Sequence, residues 1–128
     1  MTKILLVDDD PTMYRMYKRL FSYNGYEVDV AVDGEEGSRK THENKPDLII
    51  LDVMMPKVNG LEFLDQLKNN PETKSIPVIL LTNLGIEVEL KKAMAKGALG
   101  YIIKSDHEPS EVLKIVKKAI ATSRRQNY

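Results

Sequence analysis

Apolar runs that end in a polar side chain recur along this chain, and helix-like stretches separate them. Lys3-Ile4-Leu5-Leu6-Val7 opens onto Asp8-Asp9, Leu48-Ile49-Ile50-Leu51 onto Asp52, Val78-Ile79-Leu80-Leu81 onto Thr82, and Tyr101-Ile102-Ile103 onto Lys104. Strands alternating with helices imply right-handed crossovers and a parallel sheet with helices on both faces. The strands predicted at 3–8, 47–52, 77–82 and 99–103 are nearly continuous in apolar residues, as strands covered on both sides are. Residues 26–32 instead alternate, apolar at Tyr26, Val28, Val30 and Val32, which predicts an edge strand with one exposed face. With the second strand at the edge, the order is 2-1-3-4-5. This is a doubly wound α/β sheet, and such sheets bind ligands along the edge formed by their strand C-termini.

The helix ends are legible. Asp10-Pro11 supplies an N-cap acceptor followed by proline at the first helical position. Met13, Met16, Tyr17, Leu20 and Phe21 then form one stripe that stops near Asn24-Gly25. Asn59 can cap a third helix that buries Leu61, Phe63, Leu64 and Leu67 and stops before Pro71. The last helix starts near Pro109-Ser110 and carries Val112, Leu113, Ile115, Val116, Ala119 and Ile120 at amphipathic spacing. The second helix is the weak one. From Glu35 to Asn44 no large aliphatic residue occurs, and Gly37 costs about 1 kcal/mol relative to alanine. A short or mobile helix is expected there.

A chain of 128 residues is long enough to close one two-sided core, and no repeat or linker divides it, so residues 1–128 read as a single domain. Basic and acidic residues balance at 19 each, and net charge therefore supplies no long-range attraction to nucleic acid or an anionic membrane. With no cysteine, disulfides and thiolate metal sites are excluded. No apolar run approaches the roughly 20 residues that span a bilayer. The first strand begins too early to leave room for a signal peptide. A cytoplasmic domain is the expectation.

The parallel sheet would bring Asp8, Asp9, Asp52, Thr82 and Lys104 into one crevice. Each residue alone has a plainer reading. A lone Asp after a strand is ordinarily a helix cap, which is all that is read for Asp10; a lone Lys there is solvated, and a Thr bonds local backbone. Four such signals at matching strand ends are another matter. Three carboxylates crowd like charge that a cation or proton must relieve. Magnesium suits them, as a hard ion that takes oxygen ligands and keeps positions for water and phosphate. A carboxylate is also a nucleophile that can accept a phosphoryl group. Because that transfer is largely dissociative, the protein mainly positions and neutralises. Lys104 offers a point charge and Thr82 a hydroxyl for the phosphoryl oxygens.

On these residues the chain resembles the response-regulator receiver domains of two-component signalling. The shared motifs are Leu6-Val7-Asp8-Asp9-Asp10, Leu51-Asp52-Val53-Met54-Met55-Pro56 with Gly60, Leu81-Thr82, and Lys96-Gly97-Ala98 leading to Tyr101-Ile102-Ile103-Lys104. The resemblance implies the flavodoxin-like (βα)5 fold and a switch that accepts a phosphoryl group on Asp52. It implies Asp9 and Asp52 as direct Mg2+ ligands, Asp8 as a ligand through water, and the Met54 carbonyl as another. It makes Thr82 and Lys104 the grip on the phosphoryl group, and Thr82 and Tyr101 the switch. Asp52, Thr82 and Lys104 would be the catalytic set. The donor would be a histidine kinase or phosphotransfer protein, and the target an unknown downstream protein. Relatives suggest a phosphorylation-dependent homodimer through the fourth and fifth helices, where Ile86, Val88, Leu90, Lys91, Lys92 and Lys96 accompany Lys114, Lys117 and Lys118. The style of the sequence resembles stand-alone receivers, and nothing in it suggests DNA binding.

Two departures stand out. The family usually has proline after the lysine, often with a cis bond; here Ser105 follows, and the trans isomer is favoured because a cis bond before a non-proline residue costs about 2.5–4 kcal/mol. Asn83 stands where a small residue is common. Two rival classes share this architecture: a flavodoxin-like flavin or nucleotide binder, and a Mg2+-dependent phosphatase. The first lacks a glycine-rich phosphate loop after the first strand, and the second calls for Asp-x-Asp where Asp8 and Asp9 are adjacent.

Overall fold

Residues with side chains buried on both sides form the central strands. In a computed structural model, which describes residues 1–53, 60–82 and 87–126, five strands are β1 (Lys3–Val7), β2 (Glu27–Ala31), β3 (Leu48–Leu51), β4 (Val78–Thr82) and β5 (Gly100–Ile103). All pair in parallel, in the order β2-β1-β3-β4-β5. The helices between them are α1 (Pro11–Tyr23), α2 (Gly34–Asn44), α3 (Gly60–Asn69), α4 (Glu87–Ala95) and α5 (Pro109–Gln126), with a short 3-10 turn at Lys104–Asp106. Met54, Met55, Pro56, Asn59 and Asn83 lie outside the described residues.

The two-residue period of the strands splits the core in two. Ile4, Leu6, Ile50 and Ile79 pack with Tyr17 and Phe21 of α1 and with Val112, Val116 and Ile120 of α5. Leu5, Val7, Leu51 and Leu80 face the other way, onto Phe63, Leu64 and Leu67 of α3 and Leu90 of α4. Asp10 caps α1 as expected: its carboxylate accepts from the Thr12 N–H at 3.0 Å, and Pro11 opens the helix. Met16 departs from the expected stripe and is 37% exposed. Successive helical residues are turned by about 100°, so a stripe centred on Met13, Tyr17 and Phe21 leaves Met16 at its edge.

The expectation of a short second helix is corrected. α2 runs for 11 residues, against 10 for α3 and 9 for α4. Its support is polar and close-packed. Asp33 caps it through the Glu36 N–H at 2.8 Å, and the buried Thr41 hydroxyl donates to the Gly37 carbonyl at 2.7 Å. The missing side chain at Gly37 lets α2 approach α3, since a Cβ there would lie 3.1 Å from Phe63 Cζ. Nor is the polar face of β2 left bare. Asp29 accepts from Lys40 Nζ at 3.0 Å and from Asn44 Nδ2 at 2.8 Å, and Lys40 also pairs with Glu36 at 3.1 Å.

Candidate functional site

The sheet register assembles the site. Val7 lies beside Leu51, and the ladder continues one residue further: the Asp52 N–H donates to the Val7 carbonyl and the Asp8 N–H to the Ala31 carbonyl, both at 2.9 Å. Asp8 and Asp52 are thereby fixed side by side. Asp9 joins them, and one carboxylate oxygen from each of Asp8, Asp9 and Asp52 lies within 4.8 Å of the others. Asp8 is buried, while Asp9 and Asp52 are half-buried. Thr82 ends β4 opposite Ile103, and Lys104 is the next residue along β5, so the register also brings their backbones to this edge. Both side chains are buried.

The structure gives Lys104 a partner that sequence reasoning did not. Its Nζ donates to Asp8 Oδ2 at 3.1 Å, with the two side chains only 5% and 2% exposed. The other Asp8 oxygen accepts from the Asp10 N–H at 3.0 Å, a bond whose only sequence trace is the Asp8-Asp9-Asp10 run ahead of a proline. Deeper in the core, the Tyr17 phenol is pushed up, first by burial and then by the charge of Asp8. The Lys104–Ser105 peptide is trans, as expected, and opens the 3-10 turn. Tyr101 pairs with Leu80 and is half-exposed. Met54, expected to offer a carbonyl, lies outside the described residues. Three convergent carboxylates are an all-oxygen donor set of the kind that Mg2+ takes, so the residues present fit that ion.

The model of the response regulator receiver domain family matches residues 4–117. This chain belongs to that family. Among curated relatives of this receiver, the phosphate regulon transcriptional regulatory protein PhoB of Rhizobium meliloti is 34% identical over 113 residues, covering 88% of this chain and 50% of PhoB. Protein PilH of Pseudomonas aeruginosa is 32% identical over 121 residues, covering 94% of this chain and 99% of PilH. The receiver spans about half the length of the curated relatives PhoB, ArlR and RpaA. Among solved structures, the chemotaxis protein CheY4 of Vibrio cholerae superposes with a TM-score of 0.85 at 32% identity, covering 92% of this chain and 98% of that one. A receiver domain protein from Methanospirillum hungatei reaches 0.91 at 25% identity, covering 98% of each chain. Receiver domains are signalling switches, and phosphoryl acceptance is the family's function. They typically bind Mg2+ at an acidic pocket, where this receiver has its three aspartates. Among the described residues, no helix is long and apolar enough to cross a membrane.

Proposed function

We propose that residues 1–128 act as one phosphorylation-controlled switch with Asp52 as acceptor. The convergence of Asp8, Asp9 and Asp52 at the strand ends, with a buried lysine beside them, carries this reading. A carboxylate oxygen of Asp52 attacks the phosphorus of a phosphohistidine, on a histidine kinase or phosphotransfer protein, or of a small acyl phosphate. The O–P bond forms as the donor's bond to phosphorus breaks, and the leaving group keeps the electron pair. Thr82 donates its hydroxyl and Lys104 its ammonium to the phosphoryl oxygens. Held by Asp9 and Asp52, by Asp8 through water and by the Met54 carbonyl, Mg2+ would supply further charge neutralisation. The protein is no turnover enzyme beyond its own phosphorylation and dephosphorylation. Its acidic pocket is hostile to a bare phosphate, which disfavours a flavin or nucleotide ligand.

Incubated with magnesium and acetyl phosphate, the protein gains one acid-stable, base-labile phosphoryl group detectable by mass. Asp52→Asn keeps the shape without the nucleophile and abolishes labelling. Full labelling of that variant would overturn the assignment.

Phosphorylation then shifts a two-state equilibrium through Thr82 and Tyr101. The surface it alters includes the exposed Leu99, Tyr101 and Met94, set among the lysines of α4 and α5. We assign this face to a phosphorylation-dependent homodimer in the cytoplasm, ahead of an unnamed downstream protein. Light scattering with beryllofluoride and magnesium should show the mass doubling; a monomer in both states would point to a different protein as partner.

A further inference from the structure

As an edge strand, β2 turns part of its backbone away from the sheet. The Glu27 N–H donates to the Thr2 carbonyl and the Ala31 carbonyl accepts from the Asp8 N–H, both at 2.9 Å. Glu27, Asp29 and Ala31 therefore direct their backbone groups toward β1, and the two-residue period directs those of Val28 and Val30 outward. An outward row of this kind is a template on which another strand can pair. At Val30 both groups are already taken. Its N–H donates to Asp29 Oδ1 at 2.9 Å, and its carbonyl accepts from Lys40 Nζ, which reaches across from α2. Lys40 is held there by Asp29 at 3.0 Å and Glu36 at 3.1 Å. Val28 has no such cover among the described residues.

We propose that Asp29 and Lys40 form a latch that keeps the β2 edge closed to a second copy of this chain. The occupant follows from symmetry, because identical edges meet about a two-fold axis with the same patch on each side. With that axis at Asp29, antiparallel pairing sets Val28 opposite the partner's Val30, and Val30 opposite the partner's Val28. These are the positions whose backbone groups face outward, and each facing pair exchanges both of its N–H···O bonds. The latch opposes this in two ways. Asp29 and Lys40 occupy the Val30 groups, which leaves neither pair complete. The two Asp29 carboxylates also meet at the axis, where like charges on opposed residues are destabilising. The apolar face needs nothing added: Tyr26, Val28 and Val30 already pack on the α1 side of the core, and pairing extends that face across both copies. This edge lies at the far end of the sheet from β5, and its opening calls for no phosphoryl group.

The full chain tests this without magnesium or a phosphoryl donor, so the assignment of the acceptor has no bearing on the outcome. Light scattering over a concentration series compares wild type with a double variant carrying Asp29→Ala and Lys40→Met. Wild type should keep the mass of one chain, and the double variant should reach twice that mass. Amide exchange locates the contact: the Val28 and Val30 N–H groups of the double variant should exchange more slowly as concentration rises. A folded double variant that stays monomeric overturns the latch. So does a dimer whose Val28 and Val30 amides exchange as fast as in the monomer, since the copies then meet elsewhere. Circular dichroism reports whether the double variant folds, and if it does not, wild type decides. There the Val30 amide should exchange several-fold more slowly than the Val28 amide, because Asp29 covers only the former. Equal rates would show that Asp29 does not close the edge.

Discussion

Gly60 shows how little freedom surrounds the acceptor. A Cβ at this position would sit 2.7 Å from the Asp52 carbonyl oxygen and 2.7 Å from Val53 Cα. Both are backbone atoms, so no rotamer change relieves the clash, and the chain carrying Asp52 must move. Gly60→Ala should cost about 1–3 kcal/mol, as overpacked cores do, and should slow acetyl phosphate labelling by shifting the nucleophile. Gly100 is the control: nothing lies within 4 Å of its missing Cβ, and Gly100→Ala should stay within about 0.5 kcal/mol of wild type. Urea denaturation and a labelling time course check both. If the two alanine variants behave alike, the Gly60 contact is not what fixes Asp52.

At the scale of elements, charge helps to secure α2. Partial burial alone would raise the Asp29 carboxyl, but hydrogen bonds from Lys40, the Val30 N–H and Asn44 outweigh it and hold Asp29 below the usual carboxylate range. Burial alone would lower Lys40, yet Asp29 and Glu36 hold it above its ordinary value. The two shifts act at opposite ends of the pH scale. The Asp29 contribution is complete above its unfolded value near 3.8 and is lost as pH falls through the lower folded value. The Lys40 contribution is complete below 10.5 and is lost as pH rises through the higher folded value. Lys40→Met should therefore cost on the order of 0.5 kcal/mol at neutral pH, discounted for the exposure of Asp29. The gap should shrink as pH falls below 3.8 and again as it rises above 10.5. A gap that stays constant in urea denaturations across this range would mean the pair contributes nothing.

This element also marks where sequence reading stopped. Strands such as Leu48–Leu51 declare themselves by an unbroken apolar run, and α3 by the spacing of Leu61, Leu64 and Leu67, because those signals are local. The partners of α2 are not local. Lys40 reaches back to Asp29 on another element, and Gly37 needs Phe63 from α3 above it. Nothing between Glu35 and Asn44 announces either. The acidic site divides in the same way. Asp8, Asp9 and Asp52 were legible because strand ends share one edge, whereas the Lys104–Asp8 bond depends on side-chain directions that no spacing encodes.

For the whole molecule, α5 is the second half of one core. Val112, Val116 and Ile120 are buried against Ile4, Leu6, Ile50 and Ile79, and beyond Ile120 the next two residues are exposed. A chain ending at Glu108 should lose its cooperative thermal transition, since large-to-small changes at single buried sites already cost about 2–5 kcal/mol. One ending at Thr122 should keep it. Circular dichroism melts distinguish the two, and a cooperative melt of the shorter chain would show that α5 is dispensable to the core.

The bond between Asp8 and Lys104 joins residues 96 positions apart. On a ribosome adding about 5–20 residues per second, roughly 5–20 s separate the synthesis of the two ends. Throughout that interval the growing polypeptide carries the aspartate without its lysine, and for the later part it carries all three aspartates. The charge imbalance is greatest just when β1, α1, β2 and β3 are available to pair. Last to be made among the groups of the site, Lys104 arrives at a cluster of negative charge already in place, and its capture there fastens the newest strand to the oldest.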